Sequence, residues 1–245
     1  MFEFRLEVRM ALKYDFNLEV RYPPETILGQ ISDETRQALL AAWSEKTYAA
    51  GQIILDADDN SDEVLFLLEG GVRVANFSSK GREVSFSDVV EGDCFGEFAV
   101  IDGAPRSANV LATRTARIAL VPGPVFLELI NAHPDLGMAV MRSLVGKLRD
   151  LTRRVSEFTA MKADDRIRLE LLRLFEGGES ADGSAFIASP PTQSSLASFV
   201  FTNREAVARE IGRMKRKGLI ERRGRAMYAP SVADIAAYHQ QHLED

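Results

Sequence analysis

The sequence predicts an α+β chain, with an N-terminal β-roll of jelly-roll type, one long helix and a C-terminal winged helix-turn-helix. Three observations support this fold. From about residue 47 to 121, short apolar segments are separated by turn residues at the spacing of a β-sandwich or roll. Residues 134–161 have a continuous helical repeat, and residues 192–225 contain the pattern of two short helices followed by a hairpin.

These patterns divide the chain into four parts. We expect an N-terminal extension (1–20), the β-roll (21–133), the long helix (134–161) and the winged helix-turn-helix (162–245). Within the extension, residues 1–10 alternate apolar and charged side chains, which predicts an added edge strand. The segment SDETRQALLAAW, residues 32–43, predicts a short helix capped by Ser32.

The predicted strands of the roll are QIILDA, EVLFLLEG, VRVANF, EVSFSDV and ARIALV. We expect turns between them at Asp58-Asp59-Asn60, Gly70-Gly71, Lys80-Gly81 and Glu91-Gly92. One segment, FGEFAVIDGAPRSANV at residues 95–110, interrupts this rhythm. Its apolar residues suggest a buried strand, yet it also contains Glu97 and Arg106. Burying an acid and a base costs several kcal/mol unless each finds a partner, so this segment is a candidate site.

Composition sets the class of protein. Apolar residues make up 46% of the chain and charged residues 27%, as in globular proteins with a real core. No apolar run approaches the ~18 residues that would predict a membrane span, and MFEFRLEVRM does not resemble a secretion signal. The single cysteine, Cys94, excludes an internal disulfide framework. We therefore expect a cytoplasmic protein with no membrane partner.

Charge is distributed unevenly along the chain. The net charge is −6, but residues 204–225 hold nine Lys/Arg and three Glu, a local charge of +6, so the remainder carries −12. A basic segment in an acidic chain is typical of a surface that binds a polyanion. A solvated charged face is the alternative, and charge alone does not decide between them.

The long helix has two apolar stripes. Met138, Met141, Val145, Leu148, Thr152, Val155 and Thr159 follow the spacing of a coiled-coil seam, and Val140, Leu144, Leu151 and Phe158 form a second stripe. A helix with two apolar surfaces needs two partners. We expect one to be the roll and the other a second copy of the chain, which predicts a homodimer. A single buried helix is the alternative.

The C-terminal segment fits a DNA-reading unit. Thr192 can cap one helix, Asn203 can cap a second, and Gly218 can end it before a hairpin centred on Gly224. On the second helix Val207, Ile211 and Met214 should pack inward. The opposite face carries side chains suited to base edges in the major groove: Arg204, Glu205 and Arg209. Arg222 and Arg223 in the hairpin suit phosphates. A protein-binding helix with surface charges is the alternative.

Two segments resemble the CRP/FNR family of bacterial transcription regulators. TQSSLASFVFTNREAVAREIGRMKRKGLI is similar to the family's helix-turn-helix, and residues 95–110 resemble its cyclic-nucleotide cassette. The resemblance covers residues from about 25 to 230. It implies binding of cAMP or cGMP through Gly96, Glu97, Phe98, Arg106 and Ser107. By that likeness Glu97 would accept from the ribose 2′-hydroxyl, while Arg106 and Ser107 would hold the cyclic phosphate.

The sequence departs from the family pattern at two positions. The family's cAMP-responsive members carry two adjacent hydroxyl residues on the long helix that contact the base, whereas this chain has Leu151 and Thr152. Thr152 is therefore the remaining candidate for a base contact. In the helix-turn-helix, Phe201 occupies a turn position that relatives usually fill with glycine, so we expect a strained or rearranged turn there.

The expected function is that of a homodimeric transcription regulator. Cyclic nucleotide, as an allosteric ligand rather than a cofactor, would favour binding to a palindromic, G·C-containing duplex, and the resemblance adds RNA polymerase as a partner. The alternative is a family member or architectural dimer that binds DNA without nucleotide. No catalytic motif accompanies Glu97 and Arg106, so we expect no enzyme. One cysteine, and three histidines (His133, His239 and His242) that all lie outside the β region, predict no metal site.

Overall fold

A computed structural model of the chain describes residues 22–57, 59–77 and 83–243. The N-terminal extension with its predicted edge strand lies outside these residues, as do Asp58 and the Lys80-Gly81 turn. Within the described residues the fold is the predicted one, a β-roll, a long helix and a winged helix-turn-helix.

The roll begins with two helices and continues as strands. Its elements are α1 (Ile27–Gln30), α2 (Asp33–Ala42), β1 (Ser44–Tyr48), β2 (Ile53–Leu55), β3 (Glu63–Phe77), β4 (Glu83–Val89), β5 (Cys94–Phe95), α3 (Glu97–Asp102), β6 (Asn109–Pro122) and α4 (Gly123–Ala132). Ser32 caps α2 as predicted, accepting the Thr35 backbone N–H. The strands pair antiparallel in the order β1-β6-β3-β4, with β2 added to β6 and β5 added to β3.

Strand β3 separates two apolar cores because its side chains alternate between the two faces of the sheet. Val64 and Phe66 face the helices α1, α2 and α4, where Phe66 meets Phe126 edge-on. Leu65 and Leu67 face the interior of the roll. All four are essentially inaccessible to solvent. The alternation explains why this segment reads as a continuous apolar run.

The predicted turn at Gly70-Gly71 is wrong, because β3 runs through both glycines. The pairing of β3 with β6 shifts register here, so the strand bulges rather than turns. Gly70 has φ +110°, and a Cβ there would lie 2.1 Å from the carbonyl oxygen of Thr115. Glycine thus serves the close approach of two strands and not a reversal of the chain.

The suggestion of a buried strand over 95–110 is also wrong in its centre. Residues Glu97–Asp102 form helix α3, entered and left through left-handed glycines: Gly96 has φ +78° and Gly103 has φ +69°. Phe98 and Ile101, which look like core residues in the sequence, are exposed on this helix. Phe95 and Val110, on the flanking strands, are buried as expected.

The long helix α5 spans Pro134–Ala160. Its first turn is fixed to α2, because Asp135 accepts hydrogen bonds from the Ser32 backbone N–H and the Thr35 hydroxyl, both at 2.8 Å. Burial alone would raise the pKa of Asp135, but these bonds outweigh it and hold the pKa at about 2. Val140 is buried against the roll and Leu144 is half-buried there. The N-terminal part of the second stripe therefore packs on the roll, as expected.

The C-terminal unit consists of α6 (Ala163–Glu176), β7 (Ala185–Ile187), α7 (Gln193–Phe199), α8 (Arg204–Arg216), β8 (Glu221–Arg223), β9 (Ala226–Ala229) and α9 (Val232–Gln241). Its strands pair in the order β7-β9-β8. Thr192 and Asn203 cap α7 and α8 with their side chains. Gly218, with φ +73°, ends α8 in a Schellman motif, since Leu219 N–H bonds the Met214 carbonyl.

The predicted inward face of α8 is confirmed. Val207, Ile211 and Met214 are buried in one core together with Ile167, Phe175 and Ile235. Below them lies a buried ionic group, in which Arg168 donates to Glu210 at 2.8 Å and also pairs with Asp165. This core fixes α8 against α6 and leaves the opposite side of α8 to solvent.

Candidate functional site

A cavity of about 910 Å³ lies between the 95–110 segment, strands β3 and β4, and the long helix. The 95–110 segment contributes all of its predicted binding residues to the wall: Gly96, Glu97, Phe98, Arg106 and Ser107. Lys147 and Leu151 of α5 face them. The end of α7 and the turn that follows it, residues 199–201, also line the cavity. One cavity therefore touches both halves of the molecule.

Arg106 is the buried cation of this cavity, with only 5% of its surface exposed. Its Nη1 donates to the Gly96 carbonyl at 2.5 Å, and its Nη2 donates to the Glu63 carbonyl at 2.9 Å and the Ser61 hydroxyl at 3.0 Å. Its Nε finds no partner among the described residues. Burial lowers the pKa of Arg106, with Asp59 and Glu63 partly offsetting it, but a guanidinium remains charged. The site therefore holds a buried cation that still has N–H groups without a hydrogen-bond acceptor among the described residues.

Glu97 is buried but does not pair with Arg106. Its carboxylate accepts from Lys147 Nζ at 2.7 Å, and the same ammonium donates to the Cys94 carbonyl at 3.1 Å. Burial lowers the pKa of Lys147, but interaction with Cys94 and Glu97 outweighs burial and raises it. Glu97 and Arg106 therefore form no internal ion pair with each other, and the Glu97–Lys147 pair instead joins α3 to the long helix.

The remaining cassette residues differ in exposure. Gly96 lies close under Arg106, because a Cβ at Gly96 would stand 2.8 Å from Arg106 Nη1. Ser107 is exposed at the cavity wall. Phe98 is half open to solvent, and Lys147 Nζ lies 5.9 Å from its ring centre. The backbone thus approaches closely at Gly96, while Ser107 and Phe98 border the opening.

Thr152 is not brought into this cavity by its own chain. Its hydroxyl donates to the Leu148 carbonyl at 2.9 Å, and its side chain is exposed on the seam stripe. Leu151, the neighbouring residue, lines the cavity instead. Within one chain α5 therefore presents Leu151 to the cavity, and not the hydroxyl of Thr152.

The seam stripe of α5 is uncovered in the single chain. Met138, Met141, Val145, Leu148 and Val155 are each between 45% and 63% exposed. Leu151 and Phe158 of the second stripe are exposed as well. Single apolar side chains are common on protein surfaces, but five large ones in a continuous row form a patch that is typical of an interaction surface.

The predicted DNA-contact residues lie on the free side of α8 and on the wing. Arg204, Glu205 and Arg209 are exposed, and none of them forms an ion pair with a described residue. Arg222 Nε donates to the Gly224 carbonyl at 3.0 Å. Arg223 stacks on Tyr228, 3.5 Å from the ring centre, and pairs with Glu221. The two wing arginines are thus held in place while exposed.

Sequence reasoning missed two functional candidates, Lys147 and Arg154. Lys147 pairs with Glu97 from 50 residues away, a contact that no local pattern encodes. Arg154 bonds carbonyl groups of both β4 and the α7–α8 turn. Both are charged residues on the side of α5 that faces the rest of its own chain. A charged residue on that side of the helix is the signal by which the sequence could have indicated them.

Phe201 adopts the positive φ that the sequence suggested. Its φ is +52°, and among the described residues it is the one non-glycine residue with positive φ. Its ring packs edge-on against Phe158, with centres 5.5 Å apart, and lies 4.9 Å from the Arg154 guanidinium. The helix-turn-helix therefore keeps its turn geometry, with these contacts offsetting backbone strain.

Two family models match the chain. A cyclic nucleotide-binding domain covers residues 45–133, and a Crp-like helix-turn-helix domain covers residues 165–237. Among the helices that the structure describes, none combines the length and apolar character that a membrane crossing needs.

Known proteins resemble the chain along most of its length. The cAMP-activated global transcriptional regulator CRP of Pasteurella multocida is 25% identical over 196 residues, 80% of this chain and 94% of its own. Vfr of Pseudomonas aeruginosa, a regulator of the same description, is 24% identical over 193 residues, 77% of this chain and 90% of its own.

Solved structures share the fold. The c-di-GMP responsive global regulator CLP of Xanthomonas campestris superposes with a TM-score of 0.71 at 19% identity, covering 81% of this chain and 99% of its own. A CRP/FNR-family transcriptional regulator of Thermus thermophilus gives 0.61 at 23% identity, covering 80% and 98%. Together with the family models, which span about two thirds of the sequence, these matches confirm the resemblance. The chain belongs to the CRP/FNR family of transcription regulators, which are not enzymes.

Proposed function

We propose that the chain acts as a homodimer whose binding to a palindromic, G·C-containing DNA site responds to a cyclic mononucleotide, cAMP or cGMP. The observation that carries this proposal is the buried guanidinium of Arg106, which lines the cavity and whose Nε has no partner among the described residues. Three of its five N–H groups are used by the chain. The remaining donors suit an anion that the chain does not itself provide.

The cassette fits a ribose cyclic phosphate by chemistry. Arg106 would donate charge-assisted hydrogen bonds to the phosphate, and Ser107 at the opening would add a neutral donor. Glu97, whose carboxylate accepts from Lys147, is a natural acceptor for the 2′-hydroxyl. Gly96 lets the backbone come close to the sugar. These roles are the ones the family resemblance implies for the same residues.

Dimerisation would cover the exposed seam of α5. Burying five large apolar side chains against the same five of a second copy is favourable at about 25 cal/mol per Å². Thr152 lies on this stripe, so a contact between Thr152 and a ligand would cross the seam into the partner's cavity. In such a dimer the two α8 helices would face successive major grooves, about 34–36 Å apart.

The experiment is a DNA-binding titration of the purified chain on a library of palindromic duplexes, with no nucleotide, with cAMP and with cGMP. We expect one nucleotide to raise DNA affinity, and we expect the protein to sediment as a dimer that Val145→Asp dissociates. Equal DNA affinity with and without nucleotide would support the alternative, a dimer that binds DNA constitutively. A protein that stays monomeric at all concentrations would contradict the proposed dimer interface along the seam stripe.

A third ligand belongs in the same titration. CLP, one of the structural relatives, is described as c-di-GMP responsive, so c-di-GMP is the third ligand. A response to c-di-GMP alone would replace the mononucleotide in this proposal. We also place the dimer in the cytoplasm, where DNA and RNA polymerase are its further partners.

A further inference from the structure

The turn between α7 and α8 is held by arginines from two other helices. Its three successive backbone carbonyls, those of Phe199, Val200 and Phe201, all accept hydrogen bonds from guanidinium groups. Arg154 of α5 donates to Phe199 O at 2.7 Å, and Arg166 of α6 donates to Val200 O at 2.9 Å and Phe201 O at 3.2 Å. The turn that orients α8 is therefore fixed from outside its own two helices.

Arg154 also binds the β-roll. The Nη2 that bonds Phe199 O donates to Ser85 O at 2.7 Å, and Nη1 bonds the carbonyl of Phe86, both on β4. One guanidinium thus joins a strand of the nucleotide-binding domain to the helix-turn-helix. A lysine could not reproduce this fork, because an ammonium is a single compact donor group.

A second arginine strengthens the same junction. Arg73 of β3 is fixed by Asp88 at 2.7 and 3.0 Å and donates through Nη1 to the Ser195 hydroxyl of α7 at 2.9 Å. The guanidinium carbons of Arg73 and Arg154 lie 5.0 and 5.5 Å from the centre of the Phe199 ring. The helix-turn-helix is consequently docked on β3 and β4 through α7.

The docked turn lines the ligand cavity. Phe199, Val200, Phe201 and Arg154 line the same cavity as Glu97 and Arg106. A molecule that fills this cavity touches the turn only while the helix-turn-helix is docked. Ligand contacts of this kind favour the docked state over an undocked one, because a ligand shifts an equilibrium by its difference in affinity for the two states.

We propose that Arg154 is the positioning residue that couples occupancy of the cavity to the orientation of α8. This inference rests on the proposed function, in which nucleotide raises DNA affinity, and adds the route by which it does so. The docked arrangement is then the one that binds DNA. By linkage, DNA must raise nucleotide affinity by the same factor that nucleotide raises DNA affinity.

The test compares Arg154→Ala and Arg154→Lys with Arg153→Ala. Arg153 is the neighbouring arginine of α5 and also lines the cavity, but among the described residues its hydrogen bonds are to Asp150 and Glu157 of the same helix. Ser195→Ala removes the second bond of the junction independently. For each protein we would measure DNA affinity with and without the nucleotide that the wild type binds, nucleotide affinity by calorimetry, and amide hydrogen exchange.

We expect both Arg154 variants to lose the nucleotide stimulation of DNA binding by about tenfold, the value of one charge-assisted hydrogen bond. They should still bind nucleotide through the cassette. Exchange should quicken in peptides covering 83–89 and 193–202 and stay slow over 204–216, which shows that α8 remains folded. Arg153→Ala should behave as the wild type, and Ser195→Ala should show a smaller loss.

Retention of full stimulation in Arg154→Ala, or recovery in Arg154→Lys, would overturn the inference. Unchanged exchange over 83–89 and 193–202 would overturn it too, and this readout needs no nucleotide. If the wild type itself shows no stimulation, the proposed function fails. The exchange data then decide separately whether Arg154 fixes the helix-turn-helix.

Discussion

The cassette of residues 95–110 and the recognition helix α8 both carry arginine and glutamate, but they treat these charges in opposite ways. The cassette buries Glu97 and Arg106, each no more than 5% exposed, in the wall of a cavity. Helix α8 buries apolar residues and leaves Arg204, Glu205 and Arg209 in solvent.

The difference teaches what each charge can recognise. A buried guanidinium must be neutralised in a fixed geometry, so it suits one small anion that fills the cavity. Exposed arginines keep their hydration until a partner arrives, so they suit the edges and phosphates of an extended duplex. Glu210 shows that the position of a charge, and not its residue type, decides whether it is exposed. It lies on α8, yet it is fully buried and pairs with Arg168 and Arg213.

The largest effect is expected in the cassette, where the charges are buried. Arg106→Ala should weaken nucleotide binding by about 2–5 kcal/mol, the cost of truncating one partner of a buried charged contact. Arg114→Ala is the matched control, since that side chain bonds the Gly70 carbonyl away from the cavity. Calorimetric titration with cAMP and cGMP checks both variants. Unchanged affinity in Arg106→Ala would contradict the assignment of the cassette.

A smaller effect is expected on α8 and the wing, where the charges are exposed. Arg209→Ala should cost about 1–3 kcal/mol on the cognate duplex and relax discrimination at one base position. Arg222→Ala should instead weaken all duplexes by a similar, lesser amount and reduce the salt dependence of binding. Binding to a set of singly substituted half-sites separates the two patterns. Full discrimination by Arg209→Ala would remove it from the base-reading set.

The smallest effect concerns the bridge between the cassette and the long helix. Lys147→Met leaves Glu97 buried without its cation, and we expect a loss of about 1–2 kcal/mol in the free energy of unfolding, reduced by the partial exposure of Lys147. In a Glu97→Gln background the same substitution should cost much less. Urea denaturation measures both. Equal costs in the two backgrounds would show that the pair is not coupled.

The two regions also differ in how far the sequence predicts them. The caps of α7 and α8, Thr192 and Asn203, and the terminating Gly218 follow from local chemistry, and all three are observed in those roles. The apolar residues of the cassette suggest a strand, whereas Gly96 and Gly103 act as the left-handed ends of a helix.

Contacts between distant segments were beyond the reach of sequence patterns. The bulge at Gly70-Gly71 is set by the neighbouring strand β6, and the partner of Glu97 comes from α5. The same limit applies to Thr152, because a contact between its hydroxyl and a ligand would require a second copy of the chain. Local caps are encoded over four residues, whereas these contacts exist only after the domains have packed.

The most direct test is a crystal structure of the chain grown with saturating cAMP or cGMP. We predict a nucleotide in the cavity, with its cyclic phosphate on Arg106 and Ser107 and its 2′-hydroxyl on Glu97. An unoccupied cavity, with Arg106 still bonded to Gly96, Ser61 and Glu63 alone, would contradict the account.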